Sequence, residues 1–191
     1  MASAGAGATS GEPARRVKVV LLGDSSVGKS AVVRRLVGAA RGDAEGGTGS
    51  GLFRATYEET LGVDVSAFEH LGARGEASQV ELWCCSGAPR YLPCVQQNAL
   101  AGADLFVMVY DVTSVASLQR CVFWRNEALR ATGGALRAVL VGAKADLMEQ
   151  ACVSEESGIK QADAWGVPHL RVSCKDGAGF VVLRRMLMDL S

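Results

Sequence analysis

Residues 23–30 constrain the fold of this chain more than any other segment, since they read Gly-Asp-Ser-Ser-Val-Gly-Lys-Ser. They match the pattern G-x-x-x-x-G-K-[ST] and directly follow the apolar run 17–22, which has the character of a buried strand. The two glycines let the backbone turn so that successive N–H groups face one concave surface, where an anion can bind. The segment therefore predicts a strand, a phosphate-binding loop and a helix. An ordinary Gly/Ser turn is the weaker alternative, because the preceding strand supplies the context of the motif.

Each residue type in this loop suits a polyphosphate ligand. The helix that begins near Gly28 adds the positive end of its dipole. Lys29 would reach the β- and γ-phosphates, and the Ser30 hydroxyl would hold Mg²⁺. The predicted phosphate-binding residues are Gly23, Asp24, Ser25, Ser26, Val27, Gly28, Lys29 and Ser30.

Strand-like and helix-like segments alternate along the rest of the chain. Strands are predicted over 17–22, 63–71, 79–83, 105–110, 138–141 and 170–172, and helices over 29–37, 89–101, 114–130, 154–165 and 180–190. Ser114 and Ser154 are predicted N-caps. This alternation predicts an α/β fold of three layers, with a mostly parallel six-stranded sheet and helices on both faces.

Two segments have compositions that do not predict secondary structure. Residues 1–14 are mainly Ala, Gly, Ser and Thr, so we expect a disordered tail before a single domain over 15–191. Residues 38–51 contain six glycines and predict a flexible insertion. Residues 72–75, Gly-Ala-Arg-Gly, have the chemistry of a hairpin loop between two strands.

Composition excludes several classes of function. Twenty basic residues balance twenty acidic ones, so nothing favours a nucleic-acid partner. The six cysteines lack paired C-x-x-C spacing and no signal-peptide pattern occurs, which favours reduced thiols in the cytoplasm. A zinc site among Cys84, Cys85 and Cys94 is disfavoured, because adjacent cysteines rarely both ligate one ion. The last residues, 188–191, hold no cysteine for a prenyl group, so we expect no direct lipid anchor.

Beyond the phosphate loop, further motifs resemble those of Ras-superfamily small GTPases, most closely the Rab branch. Residues 57–64 read Tyr-Glu-Glu-Thr-Leu-Gly-Val-Asp and are similar to the Rab switch I. The resemblance implies that Thr60 closes on Mg²⁺ and on the γ-phosphate. Residues 110–113, with Trp124 in the next helix, resemble the stretch after the fourth strand. The family resemblance covers residues 15–191. It implies the P-loop GTPase fold, with GTP or GDP and Mg²⁺ as cofactors.

The third family motif, Asp-Thr-Ala-Gly-Gln, is altered in this chain to Cys-Cys-Ser-Gly-Ala at residues 84–88. Cys84 replaces the acidic residue that supports Mg²⁺, and a thiol suits softer metals, so metal affinity should fall. Ala88 replaces the glutamine that orients the attacking water, so the chain has no predicted catalytic residue. Gly87 remains, and its backbone N–H could still contact a γ-phosphate.

The guanine-recognition motif is partly retained. The family's Asn-Lys-x-Asp is Ala-Lys-Ala-Asp at residues 143–146, and the resemblance implies that Asp146 binds the guanine edge while Lys144 lies along the ring. Ala143 lacks the amide that would link the base to the phosphate loop, a loss of about 1 kcal/mol per hydrogen bond. The family's last motif, Ser-Ala-Lys, is represented by Ser173, Cys174 and Lys175.

These motifs support two functional hypotheses. The first is a Rab-like GTP-binding protein with impaired or absent hydrolysis, which presents switch I, with Phe53 and Tyr57, and the switch II region to a protein effector in trafficking. The second is a pseudo-GTPase that serves as a structural or adaptor subunit, with static or no nucleotide. The missing prenylation signal favours the second hypothesis, in which the protein would reach membranes only through a partner. Tail-less Rab-like subunits of ciliary transport are an analogy for such a protein.

Residues 38–51 lie next to switch I. The segment between Lys29 and Thr60 is about a dozen residues longer than in the family, and an insertion of this length in a loop has a modest entropic cost. We expect this insertion to be disordered, although a widened partner contact is the alternative.

Overall fold

The computed structural model describes residues 15–40, 58–71 and 77–190. They form a six-stranded sheet in the order β2-β3-β1-β4-β5-β6. The strands are β1 (Arg15–Leu22), β2 (Val63–Leu71), β3 (Ala77–Cys85), β4 (Leu105–Asp111), β5 (Ala138–Ala143) and β6 (His169–Arg171). Only the edge strand β2 runs antiparallel to its neighbour, β3. The predicted α/β fold with a mostly parallel six-stranded sheet is confirmed.

Helices cover both faces of this sheet, because the strand residues alternate between two apolar cores. In β1, Val19 and Leu21 contribute to one core, and Val20 and Leu22 contribute to the other. The first core also contains residues of α1 (Lys29–Ala40) and α5 (Phe180–Leu190). The second contains residues of the remaining helices, α2 (Leu92–Asn98), α3 (Val115–Ala131) and α4 (Glu155–Trp165).

Local signals place the helix starts correctly at two positions. The Ser114 hydroxyl oxygen accepts a hydrogen bond from the backbone N–H of Ser117, and Ser154 does the same for Ser157. Each cap satisfies one of the N–H groups that the first turn of a helix leaves without an intrahelical partner. Both predicted N-caps are confirmed.

Two predicted helices have the wrong bounds, and several strand bounds differ from the prediction by one or two residues. Helix α1 continues to Ala40, so residues 38–40 are helical and do not belong to the glycine-rich insertion. Alanines 39 and 40 favour helix, and Ala40 packs against the first core. The helix predicted over 89–101 is a 3₁₀ turn, Pro89–Tyr91, followed by the shorter α2, which ends at Asn98. A proline lacks the N–H of a helix interior, so Pro93 fixes the first turn of α2.

Several other predictions lie outside the described residues. They are the disordered tail over 1–14, the rest of the insertion over 41–51, the hairpin loop over 72–75 and the switch I residues Phe53 and Tyr57.

A partly buried polar pair connects β4 with the edge strand β6. The Tyr110 hydroxyl lies 3.0 Å from Nε2 of His169, and the two rings are stacked. Gly158 of α4 packs so tightly on this pair that a Cβ there would overlap both side chains. Burial lowers the pKa of His169, and the neighbouring charge of Arg171 lowers it further.

We expect this histidine to make folding stability depend on pH. Because the pKa of His169 is below its ordinary value of 6.5 in the folded protein, the unfolded chain binds a proton that the folded chain does not. The free energy of unfolding should therefore decrease as the pH falls below about 6.5, and level off below the folded pKa. Urea denaturation between pH 7.5 and pH 5 measures this effect. A His169→Gln variant should show a shallower decrease, and an identical decrease would contradict the assignment.

Candidate functional site

The phosphate loop lies between β1 and α1, where the backbone adopts conformations that side chains rarely allow. Gly23 has a φ of +148°, and a Cβ at this position would overlap the carbonyl oxygen of Val109 in β4. Ser26 also has a positive φ, 64°, which is rare for a residue other than glycine and is typical of functional loops. The loop is therefore shaped by backbone contact with the neighbouring strand.

Lys29 lies beneath this loop and is almost fully buried. Its ammonium group donates hydrogen bonds to the carbonyl oxygens of Gly23, at 2.8 Å, and Asp24, at 2.6 Å. Burial lowers the pKa of Lys29, while the nearby Cys84, Cys85 and Asp24 act in the opposite direction. The ammonium group is thus fixed in the loop, where the sequence predicts contact with the β- and γ-phosphates.

The side chain of Asp24 is fixed by α3. Its Oδ1 accepts hydrogen bonds from the Trp124 indole N–H, at 3.1 Å, and from Nε of Arg120, at 3.4 Å. The sequence does not predict that Arg120 and Trp124 hold the Asp24 side chain, and it indicates Trp124 only as part of a family resemblance. No local pattern could have revealed the contact, because 100 residues separate Asp24 from Trp124.

The predicted Mg²⁺ ligands, Ser30 and Thr60, lie together. Their hydroxyl oxygens are 3.0 Å apart, and Sγ of Cys84 lies 3.5 Å from Oγ of Ser30. Two hydroxyl oxygens suit Mg²⁺. Burial raises the pKa of Cys84, so this thiol is neutral at pH 7 and supplies no negative charge. The two hydroxyls therefore lie together as a Mg²⁺ site would require, and a neutral thiol lies beside them.

The segment after β3 packs against the phosphate loop. A Cβ on Gly87 would overlap the backbone of Asp24 and Ser25, so only glycine fits there. Ala88, at the glutamine position of the family, is buried, and its N–H donates a hydrogen bond to the Ser86 hydroxyl. Its methyl group has no polar atom with which to orient water.

The predicted base-recognition residues are held by hydrogen bonds and an ion pair. Nζ of Lys144 lies 2.5 Å from Oδ2 of Asp111, and Lys144 has a positive φ of 63°. Oδ1 of Asp146 accepts a hydrogen bond of 3.0 Å from the Ser173 hydroxyl. Ser173 is fully buried, so it positions the Asp146 carboxylate from behind.

A cavity of about 520 Å³ joins the phosphate loop to these residues. Its lining residues are Ser25, Ser26, Gly28, Lys29, Ser30, Ala31, Arg34, Glu58, Thr60, Ser86, Gly87, Ala143, Lys144, Asp146, Leu147, Cys174 and Lys175. Four further predicted site residues do not line this cavity but lie directly behind its wall. Gly23 and Asp24 shape the phosphate loop, Val27 packs in the first core, and Ser173 holds Asp146. The cavity has the dimensions of a small-molecule site.

The cavity has a phosphate loop at the carboxyl end of β1, a pair of hydroxyls suited to a cation beside it, and a carboxylate at the opposite end of the cavity. Together these features define a P-loop nucleotide-binding protein. Comparison with known proteins identifies the family. The model of the Ras family matches residues 18–187, and the chain belongs to this family.

The curated relatives are Rab and Ras-related proteins. The chain is 31% identical to Ras-related protein RIC1 of Oryza sativa subsp. japonica over 83% of this chain and 72% of the relative. It is 31% identical to Ras-related protein RABD1 of Arabidopsis thaliana over 83% of this chain and 71% of the relative. With Ras-related protein RabC of Dictyostelium discoideum it shares 29% identity, over 90% and 82% of the two chains. The chain is thus a Rab-like small GTPase by family, and members of this family bind guanine nucleotide with Mg²⁺.

Among the described residues, no helix is both long enough and apolar enough to cross a bilayer.

Restoring the missing amide should strengthen guanine binding. Ala143 lines the cavity, and its Cβ lies 3.4 Å from where a Cβ of Gly28 would stand, so an asparagine side chain could link loop and base. Ala143→Asn should tighten GDP binding about fivefold, the equivalent of one hydrogen bond of about 1 kcal/mol. Calorimetric titration with GDP measures the gain, and affinity for inorganic tripolyphosphate is the control. Equal changes for both ligands would show that the amide does not act through the base.

Proposed function

We propose that this chain is a guanine-nucleotide-binding, Rab-like protein that hydrolyses GTP very slowly or not at all and acts through protein partners. One observation carries the proposal: a single cavity connects an intact phosphate loop with Asp146, while a methyl group and a neutral thiol occupy the positions that support hydrolysis. The expected nucleotide contacts are those predicted from the sequence, from Ser25 and Lys29 at one end to Asp146 and Lys175 at the other.

Two residues that differ from the family pattern, Ala88 and Cys84, would affect different steps of GTP hydrolysis. Ala88 cannot orient the attacking water, and hydrolysis in small GTPases that retain the glutamine is already slow, on the order of 10⁻⁴ s⁻¹. Cys84 removes a negative charge from the Mg²⁺ site, so the metal would stabilise the transferred phosphoryl group less well. Bound GTP would therefore persist.

The surface beside Thr60 supports a protein partner. Leu61 is 72% exposed and precedes β2, and Val65 is 47% exposed and lies in β2, which is an edge strand with one unpaired side within the described residues. Arg90 forms an ion pair with Glu59, so the segment after β3 is connected directly to switch I. This surface would present both switch regions to an effector in intracellular or ciliary trafficking, in the cytoplasm or at a membrane reached through the partner.

A pseudo-GTPase that serves as a structural or adaptor subunit is the second candidate, and Cys84 favours it. A neutral thiol 3.5 Å from Ser30 weakens the metal site on which tight nucleotide binding depends. Static or absent nucleotide would then accompany a purely structural role.

Nucleotide content and turnover distinguish the two candidates. The purified protein is denatured, the released nucleotide is identified by chromatography, and single-turnover GTP hydrolysis is then followed with excess Mg²⁺. Recovered GTP that exchanges with added nucleotide but is not hydrolysed supports the first candidate. An empty site that takes up no GTP, or a nucleotide that does not exchange, supports the second, and rapid hydrolysis contradicts both.

Restoring both family residues should restore slow hydrolysis. A Cys84→Asp/Ala88→Gln variant should hydrolyse bound GTP at a rate on the order of 10⁻⁴ s⁻¹, at least tenfold above the unmodified protein, because charge and water positioning return together. Single-turnover assays measure the rate. Cys85→Ser is the matched control, since Cys85 is a buried thiol that contributes to the opposite core. A double variant as slow as this control would place the defect elsewhere.

A further inference from the structure

Arg34 is a cavity residue whose presence neither the motifs nor the fold explains. It lies in α1, three residues after Ala31 and four after Ser30, so the three share a helix face and all line the cavity. Its Nε is buried and has no hydrogen-bond partner among the described residues. A buried donor without an acceptor is destabilising, which favours a ligand that supplies one.

The neighbouring arginine has a structural explanation, in contrast. Arg35 is buried, its Nη1 donates a hydrogen bond to the carbonyl oxygen of Cys174, and its guanidinium fills the space that a side chain at Gly177 would need. Arg35 is not a lining residue of the cavity in the described part of the chain. Structural packing therefore accounts for Arg35 but leaves the orientation of Arg34 unexplained.

The position of Arg34 favours the nucleoside half of a ligand over its phosphates. Arg34 is five residues after Lys29, so its Cα lies about 7.5 Å further along the helix axis from the phosphate loop. Its charge acts on Cys174, a cavity residue in the base-recognition region, where it partly opposes the effect of burial on the pKa of that thiol. The phosphate end already has Lys29, Ser30 and the loop N–H groups.

We infer that Arg34 is a nucleotide-binding residue that donates hydrogen bonds to the ribose hydroxyl oxygens. This inference rests on the proposed function, because it requires a guanine nucleotide in the cavity. Of the nucleoside half, Asp146 takes the N–H groups of the base edge and Lys144 lies along its face. The acceptors of the base lie on the side of Ala143, where the amide of the family motif would meet them. The acceptors left for a guanidinium on α1 are those of the sugar. The contact adds a charged donor that compensates in part for the amide missing at Ala143.

Removal of the ribose hydroxyls tests the inference directly. Binding of GDP and of 2′,3′-dideoxy-GDP is measured by calorimetry for the unmodified protein, for Arg34→Leu and for Arg34→Gln. Unlabelled nucleotides are used, since a ribose-linked fluorophore would occupy the proposed contact. Arg125→Leu is the matched control. Nε of Arg125 is likewise buried without a hydrogen-bond partner among the described residues, but the guanidinium lies over the Trp165 ring and away from the cavity.

The unmodified protein and Arg125→Leu should prefer GDP to the dideoxy nucleotide about tenfold, as expected for a hydrogen bond to a charged group. Arg34→Leu and Arg34→Gln should bind GDP about tenfold more weakly and lose this preference. Because the preference is a ratio within one folded protein, a change in stability does not produce this result.

A preference that survives in both Arg34 variants would overturn the inference, and so would equal weakening of both nucleotides, which indicates a contact elsewhere on the ligand. Neither result affects the proposed function as long as GDP binds to the unmodified protein. If the unmodified protein binds no guanine nucleotide, both proposals fail together.

Discussion

The backbone contacts of the phosphate loop determine the geometry of the whole site. Gly23 meets the carbonyl of Val109 in β4, and the backbone of Asp24 and Ser25 meets Gly87 after β3. Each contact is closer than any side chain would permit, so the loop is clamped between segments that follow two other strands. Because β1 pairs with both β3 and β4, the central sheet holds all three segments in register. The cavity forms where their carboxyl ends meet.

Burial and charge make this frame suitable for an anion. Lys29 keeps its ammonium group inside the loop through two carbonyl oxygens, and Asp24 is held by the indole of Trp124. The hydrogen bonds offset part of the cost of burying these polar groups before any ligand arrives. A preorganised cradle loses less free energy to ordering on binding than a mobile one would.

The features that the sequence predicts are those encoded within a few residues. The phosphate loop, the N-caps at Ser114 and Ser154 and the buried strands all follow from local patterns, and the strand alternation is sufficient for the sheet. The links from Asp24 to Trp124 and from Asp146 to Ser173 join distant segments, so only the packed fold reveals them. The continuation of α1 to Ala40 was missed for a similar reason, since core packing overrides the weak helix propensity of Gly38. Arg34 resembles an ordinary exposed helix residue until the cavity is seen.

Binding and hydrolysis depend on different parts of this structure. The cradle is made mainly of backbone groups, whose positions are set by glycines and strand register, whereas hydrolysis needs particular side chains at positions 84 and 88. Cys84 packs in the first core, and Ala88 is buried beside Ser86, so both substitutions leave the frame closed. Under the proposed function, the loss of an acidic group and of an amide would therefore remove catalytic chemistry without opening the cavity. Nucleotide binding would depend on the frame, and turnover would depend on the two altered side chains.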